Sequence, residues 1–314
     1  MLNYRFLPHA AFVNTAAGTS LIINQIESEG PDSGIKLFEE ASGSEYDRMF
    51  VADKSIEPVV KFDTSDLTVL TTVGLAGVLI NPGIGTPGMT FFGRYFPTGG
   101  LPAATSASSH LSLLISDGLL VPISVRASHN SVAKVSLQAH AVLGSTATYS
   151  SATPFVWTPN QAITSGATAT ANIYTTGPLK IDGTLYQGIE DINVNFGIEV
   201  VKEGSDGDVY PSFIGIIMRM TSIEFTTANP QLMATFGDAY ALSSSFAAYF
   251  RQVLADGTRV PIATTTHIKV SGTTGMITPN NANLAFKRPG TASFTYRPVG
   301  TTQLAIAAAA IPAS

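Results

Sequence analysis

The sequence predicts an all-β protein made of two copies of one sandwich-like unit, each with a single short helix. Three observations lead there. Ser and Thr supply 29 and 35 of the 314 residues, alongside 28 Gly and 18 Pro. Thr is β-branched and suits a pleated surface, whereas Gly and Pro interrupt helices. Polar and apolar residues alternate in several stretches, the signature of half-buried strands. The chain also resembles itself at a nearly constant spacing.

The self-resemblance defines the organisation. HLSLLISDGLLVP (His110 to Pro122) matches HIKVSGTTGMITP (His267 to Pro279) in its His, Gly and Pro positions at an offset of 157. The same offset pairs Arg94 with Arg251, Gly100 with Gly257, Ser136 with Ser293 and Val142 with Val299. Upstream, KFDTSDLTVLTTVG (Lys61 to Gly74) matches EFTTANPQLMATFG (Glu224 to Gly237) at an offset of 163, so the first copy carries six extra residues before Arg94. The expected division is a first unit at residues 1–150, a linker at 151–164 and a second unit at 165–314. Trp157, the only tryptophan, is expected to pack from the linker against a unit's face.

Each element follows from local signals. After the strand-like ends at Phe62 and Phe225, Asp66 and Asn229 are N-cap residues for a short helix. Pro230 suits the first helical position, and Gly74 and Gly237 suit a left-handed C-terminal cap. DINVNFGIEV (Asp191 to Val200), SVRASHNSVAKVSLQAHAV (Ser124 to Val142) and ASFTYRPV (Ala292 to Val299) alternate as strands. SFIGIIMRM (Ser212 to Met220) is nearly continuous in apolar residues, as for a strand buried on both faces. Asp-Gly pairs at 117–118, 182–183, 206–207 and 256–257 are expected hairpin turns.

Composition narrows the function. With 17 basic and 22 acidic residues and a net charge of −5, the chain lacks the concentrated basic face that grips nucleic acid. The absence of Cys removes disulfides, thiolate metal sites and thiol nucleophiles. The N-terminal MLNYRFLPHAAF does not read as a secretory signal. The apolar LAIAAAAIPA (Leu304 to Ala313) is shorter than the ~20 residues a membrane helix needs, so no membrane partner is expected. A surface with 12% charged residues suits a molecule whose exterior is covered by copies of itself.

Chemical motifs are weak. GIGTPG (Gly83 to Gly88) has the spacing of a dinucleotide loop, but prolines flank it and no long helix or distal acid follows, so it reads as a projecting loop. His9, His110, His129, His140 and His267 form no metal-ligand spacing; His129 and His140 share one expected hairpin. The recurring His110 and His267 read as strand-initiating imidazoles bonded to loop carbonyls. No Gly-x-Ser-x-Gly elbow occurs. The acids Glu27, Glu29, Asp32, Glu39, Glu40, Glu45 and Asp47 are expected in a solvated loop, mirrored by the acidic stretch from Glu199 to Pro211. No catalytic, cofactor-binding or metal-ligating residue is assigned, and no enzyme is expected.

A duplicated β unit with one short capped helix, an acidic loop, no cysteine and few charges resembles the tail tube proteins of long-tailed bacteriophages. That resemblance implies a structural virion protein whose units contribute strands to an inner barrel. Two units per chain imply trimeric rings, stacked into a tube with other virion proteins and passing DNA without binding it specifically. The acidic N-terminal loop and the segment Asn81 to Gly100 are the expected contacts between rings, and the lumen is expected to be acidic. The alternatives are a capsid or capsid-associated β-sandwich protein, and a carbohydrate-binding surface module using FFGRYF (Phe91 to Phe96) or Tyr249-Phe250 as an aromatic strip.

Overall fold

Strand-forming bias is realised along the chain as twenty-three strands and two short helices among the described residues. The computed structural model describes residues 5–14, 20–41, 48–80, 88–97, 100–143, 154–163, 172–204, 208–236, 244–283, 290–300 and 304–313. The expected loop at GIGTPG, the Asp206-Gly207 turn and the Gly237 cap lie outside these, save Gly88.

The first half contains β1 (Arg5–Asn14), β2 (Ser20–Ile23), β3 (Ile26–Asp32), β4 (Ile35–Ala41), β5 (Arg48–Ile56), β6 (Val59–Thr64), α1 (Val69–Val73), β7 (Val78–Ile80), β8 (Met89–Phe96), β9 (His110–Ile115), β10 (Asp117–Ser128), β11 (Lys134–Val142) and β12 (Phe155–Gln161). The second contains β13 (Ile173–Ile181), β14 (Thr184–Tyr186), β15 (Ile189–Asn195), β16 (Ile198–Glu203), β17 (Phe213–Arg219), β18 (Ser222–Thr227), α2 (Pro230–Phe236), β19 (Phe246–Val253), β20 (His267–Gly272), β21 (Gly275–Asn283), β22 (Thr291–Pro298) and β23 (Ala305–Ala309). Leaving β7 aside, the two series correspond element for element.

The correspondence extends to pairing and register. One five-stranded sheet runs β12-β9-β8-β1-β2, and its counterpart runs β23-β20-β19-β13-β14. Ile35 opposes Ile56 as Ile198 opposes Arg219, a shift of 163 on both strands. Gly118 opposes Ala141 as Gly275 opposes Pro298, a shift of 157. Irregularities recur too, at Pro122/Ser124 and Pro279/Asn281 and at Lys36/Leu37 and Glu199/Val200. Bulges re-aim a strand and are costly to place by chance, so their recurrence marks a repeated structure.

Each five-stranded sheet packs on four strands of one long sheet. The Phe62 and Phe91 rings meet edge-on at 5.0 Å across the first sandwich. In the second, Phe225 lies 5.6 Å from Phe246, which stacks on Tyr296 at 4.6 Å. Buried residues of both halves form one continuous core.

Several local expectations change. Phe155–Gln161, within the expected linker, is a strand paired with β9, so the first sandwich extends through it and Trp157 is about half exposed. β17 is not buried on both faces: Phe213, Ile217, Met218 and Met220 are exposed on a hairpin projecting from the sandwich. The acidic segment is not a loop either, because β3 pairs with β6, and β4 pairs with β5. Ile35, Leu37 and Phe38 in β4 and Phe50 and Val51 in β5 supply strand-forming residues beside the acids. Within Asn81 to Gly100, Met89–Phe96 is a sheet strand, paired with both β1 and β9.

Of the Asp-Gly pairs, Asp182-Gly183 forms a hairpin turn, with φ of 47° and 85°. Asp117-Gly118 instead begins β10, where a Cβ on Gly118 would lie 1.9 Å from the His140 carbonyl oxygen. α2 is capped as expected, Asn229 Oδ1 accepting from Gln231 N at 2.9 Å. α1 starts later, at Val69; Asp66 Oδ1 accepts from Thr68 N at 3.1 Å in the turn before it.

Candidate assembly interface

The long sheet runs β21-β22-β18-β15-β10-β11-β6-β3. Its first four strands belong to the second half and its last four to the first. The halves therefore meet strand to strand, β15 against β10, with Ser124 opposite Asn195, Val125 opposite Val194 and Arg126 opposite Asn193. Hydrogen bonds from Phe196 N to Ile123 O (3.0 Å) and from His129 N to Glu190 O (2.6 Å) extend this pairing. β15 corresponds to β3 and β10 to β21. The join is thus head to tail, and the sheet ends on the same two types of edge, β21 and β3, that are paired at its middle.

Contacts flanking the strand pair complete the junction. Ala133 N donates to Tyr174 O at 2.7 Å, Ile56 N to Val209 O at 2.8 Å and Leu143 N to Pro211 O at 2.9 Å. The Lys202 amine donates to Glu57 O and Pro58 O, both at 3.2 Å. Burial lowers the Lys202 pKa to about 8. This anchor is not duplicated, because the position equivalent to Lys202 holds Glu39.

Positions that are dry at the junction are wet, and still apolar, at the free ends. Val142 is 3% exposed and its equivalent Val299 is 61%. Tyr174 is 1% exposed against 37% for Phe6, and Thr175 is 9% against 49% for Leu7. Large apolar side chains left open to water are costly to hydrate, and such exposure is common at contact surfaces.

The face of the long sheet turned away from the five-stranded sheets is polar. A cross-strand row runs Thr278, Thr295, Glu224, Asn193, Arg126 and Lys134, crossing the junction unbroken. Lys134 is ion-paired to Glu27, and Ser136 Oγ donates to Asp63 Oδ1 at 2.6 Å. Lys61, Arg126, Lys134 and Arg297 share this face with Glu27, Asp32, Asp63, Asp191 and Glu224, so it carries charge of both signs.

Between β1, β3 and β12 lies an open groove of about 200 Å³, lined by Phe6, Leu7, Glu29, Gly93 and Trp157 among others. Its counterpart in the second half is filled, Tyr174, Ile192 and Phe250 standing where the first half has Phe6, Glu29 and Gly93. Burial raises the Glu29 carboxyl to about 7.

The remaining candidates resolve into structure. His110 Nδ1 accepts from Tyr95 N at 3.0 Å while Nε2 reaches Ala104 O at 2.8 Å. His267 does the same with Gln252 N and Pro261 O, both at 3.0 Å. Both rings are fully buried struts, holding the connection before β9 and β20. His129 and His140 lie at opposite ends of the β10–β11 hairpin, His140 facing Leu119. Among the described residues no three His, Asp or Glu side chains converge to hold a metal ion. Of the expected aromatic strip, Phe91, Phe92, Tyr249 and Phe250 are buried, while Tyr95 and Phe96 are half-buried. No protein-family model matches the chain, and no characterised protein matches it in sequence.

The low charge of the composition gave no position for the exposed apolar residues. The edge strands were hidden because β3 carries Glu29 and Pro31 where β15 has the apolar Ile192 and Val194. The offset of 163 that relates the two was available in the sequence.

Proposed function

We propose that the protein is a structural virion subunit that assembles head to tail into rings, which stack as the tube of a phage tail. The observation that carries this reading is the junction between its own halves, which leaves a matching pair of edges free. A contact joining two different surfaces generates a closed ring or an open filament, according to the rotation it imposes. Repeating the β10–β15 pairing between chains sets Asn281 opposite Asp32, Ala282 opposite Pro31 and Asn283 opposite Gly30. It would also cover Val299, Phe6 and Leu7. Each backbone hydrogen bond gained contributes about 0.5–1.5 kcal/mol net; Pro31 lacks a donor and forfeits one.

Three chains supply six units around such a ring. The polar face of mixed charge suits a wet lumen, since it offers passing DNA no continuous basic track to neutralise phosphates. The exposed apolar face of β17 suits a contact between successive rings. Negative-stain microscopy and sedimentation of the purified chain test the reading. Rings or tubes are expected as concentration rises; a particle that stays monomeric or dimeric overturns it.

A further inference from the structure

We infer that the open groove between β1, β3 and β12 is a binding site for a small organic cation, a primary ammonium or guanidinium group carried on an apolar stem. The site stands apart from the assembly reading and does not rest on it. Sheet register builds the groove. Trp157 opposes Leu113, which opposes Phe91, so the three side chains share one face of the five-stranded sheet. Phe91 meets Phe62 across the sandwich, and Glu29 opposes Phe62, so Glu29 points from β3 into the same interior. The mouth of the first sandwich thus has an indole on one edge strand and a carboxylate on another, with Phe6 also lining it.

The second sandwich shows what packing alone requires at this place. Val270 opposes Ile306 as Leu113 opposes Trp157. Ile306, Ile192, Phe250 and Tyr174 therefore stand where the first half has Trp157, Glu29, Gly93 and Phe6, and these apolar residues are buried in or packed on the core. Exchanging Ile for Glu and Phe for Gly costs the first sandwich both contact and desolvation, and the cost falls in one groove. Glu29 is the only charged residue lining that groove, and among the described residues it has no hydrogen-bond or ion-pair partner. An ammonium or guanidinium brings the charge that the carboxylate lacks, and aromatic rings beside it favour a cation over their faces. Its stem would pack on Leu113 and the rings. A sugar would instead bring several hydroxyls to a groove with a single carboxylate, leaving most of them unpaired.

Trp157 is the only tryptophan, so its fluorescence reports occupancy. On the dilute chain, shown by sedimentation to be single, n-butylamine and butylguanidine at pH 8 should shift its emission saturably, with a dissociation constant on the order of 1 mM. n-Butanol, neutral and of similar shape, should bind roughly tenfold more weakly or worse. Glu29→Gln should erase that preference, circular dichroism checking that the variant folds. Burial lifts the Glu29 carboxyl to about 7, and no other titratable side chain lines the groove. Cation binding should therefore weaken about tenfold from pH 8 to pH 6 as the carboxylate takes up a proton. Equal affinity of the wild-type chain for the amine and the alcohol, or a preference for glucose over both, overturns the inference whether or not the variant folds. An amine preference that survives in folded Glu29→Gln overturns it as well. None of these outcomes depends on assembly, so the head-to-tail reading stands or falls separately.

Discussion

Two titratable residues shielded from water give the chain opposite responses to pH. Burial lifts the Glu29 carboxyl to about 7, so the folded chain holds that proton more tightly than the unfolded one. Its contribution is fully present below the ordinary carboxylate pKa and is lost as pH rises through about 7. Glu29→Gln should therefore leave stability nearly unchanged at pH 4 and raise it by about 2–3 kcal/mol at pH 8, read by urea unfolding at both pH values. His140 is the reverse case. Burial, with Lys202 and Lys61 nearby, lowers its pKa to about 4, and neither ring nitrogen has a hydrogen-bond partner. Its contribution is complete above the ordinary imidazole pKa of about 6.5 and is lost as pH falls through about 4. Thermal melts of His140→Leu should gain about 2 kcal/mol more at pH 5 than at pH 8. Neither response was legible in the sequence, where Glu29 reads as one of seven acids and His140 as one of five histidines. Desolvation depends on what the fold places over a side chain.

At the scale of elements, the two projecting hairpins turn on one glycine each. Gly34 and Gly197 have φ of 60° and 55°, and an added Cβ would lie 2.2 Å from Glu57 O and 2.0 Å from Met220 O. Their amides bond Asp32 Oδ1 at 2.9 Å and Asn195 Oδ1 at 3.0 Å. Gly34→Ala and Gly197→Ala should each destabilise the chain by at least about 2 kcal/mol, from the left-handed backbone and the backbone clash together. Denaturant melts check the size. Hydrogen exchange should show the loss centred on β4–β5 for the first and β16–β17 for the second. Alternation made β15, β11 and β22 readable as strands, because each has one dry and one wet face. β17 misled because its apolar run read as burial on both faces, whereas Phe213, Ile217 and Met218 stand exposed.

For the whole molecule, the consequential feature is the direction of the join between halves. The internal pair Arg126 and Asn193 sits between hydrogen-bonded pairs of the β10–β15 ladder, a position with Cα atoms about 4.5 Å apart in antiparallel sheets. That spacing accepts a disulfide. Its equivalent between copies is Asn283 with Gly30, and Gly30 has room for a side chain, the nearest heavy atom to an added Cβ being Lys61 O at 3.8 Å. Gly30→Cys with Asn283→Cys, in a chain free of other cysteines, should oxidise to covalent multimers on non-reducing gels. Moving the second cysteine two residues along, to Asn281, should not. Equal cross-linking of both pairs would refute the register.

From sequence alone came the all-β class, the repetition of a unit, the helix cap at Asn229, and the strut role of His110 and His267. These rest on local backbone preferences and on spacing, which a chain carries with it before it folds. The tertiary structure alone decided that the two units share a single sheet through β10 and β15, that Phe6, Leu7 and Val299 are left uncovered, and that Glu29 stands in a groove. Strand partners far apart in the chain are chosen by which edges meet, and water's access to a side chain is known only after they have.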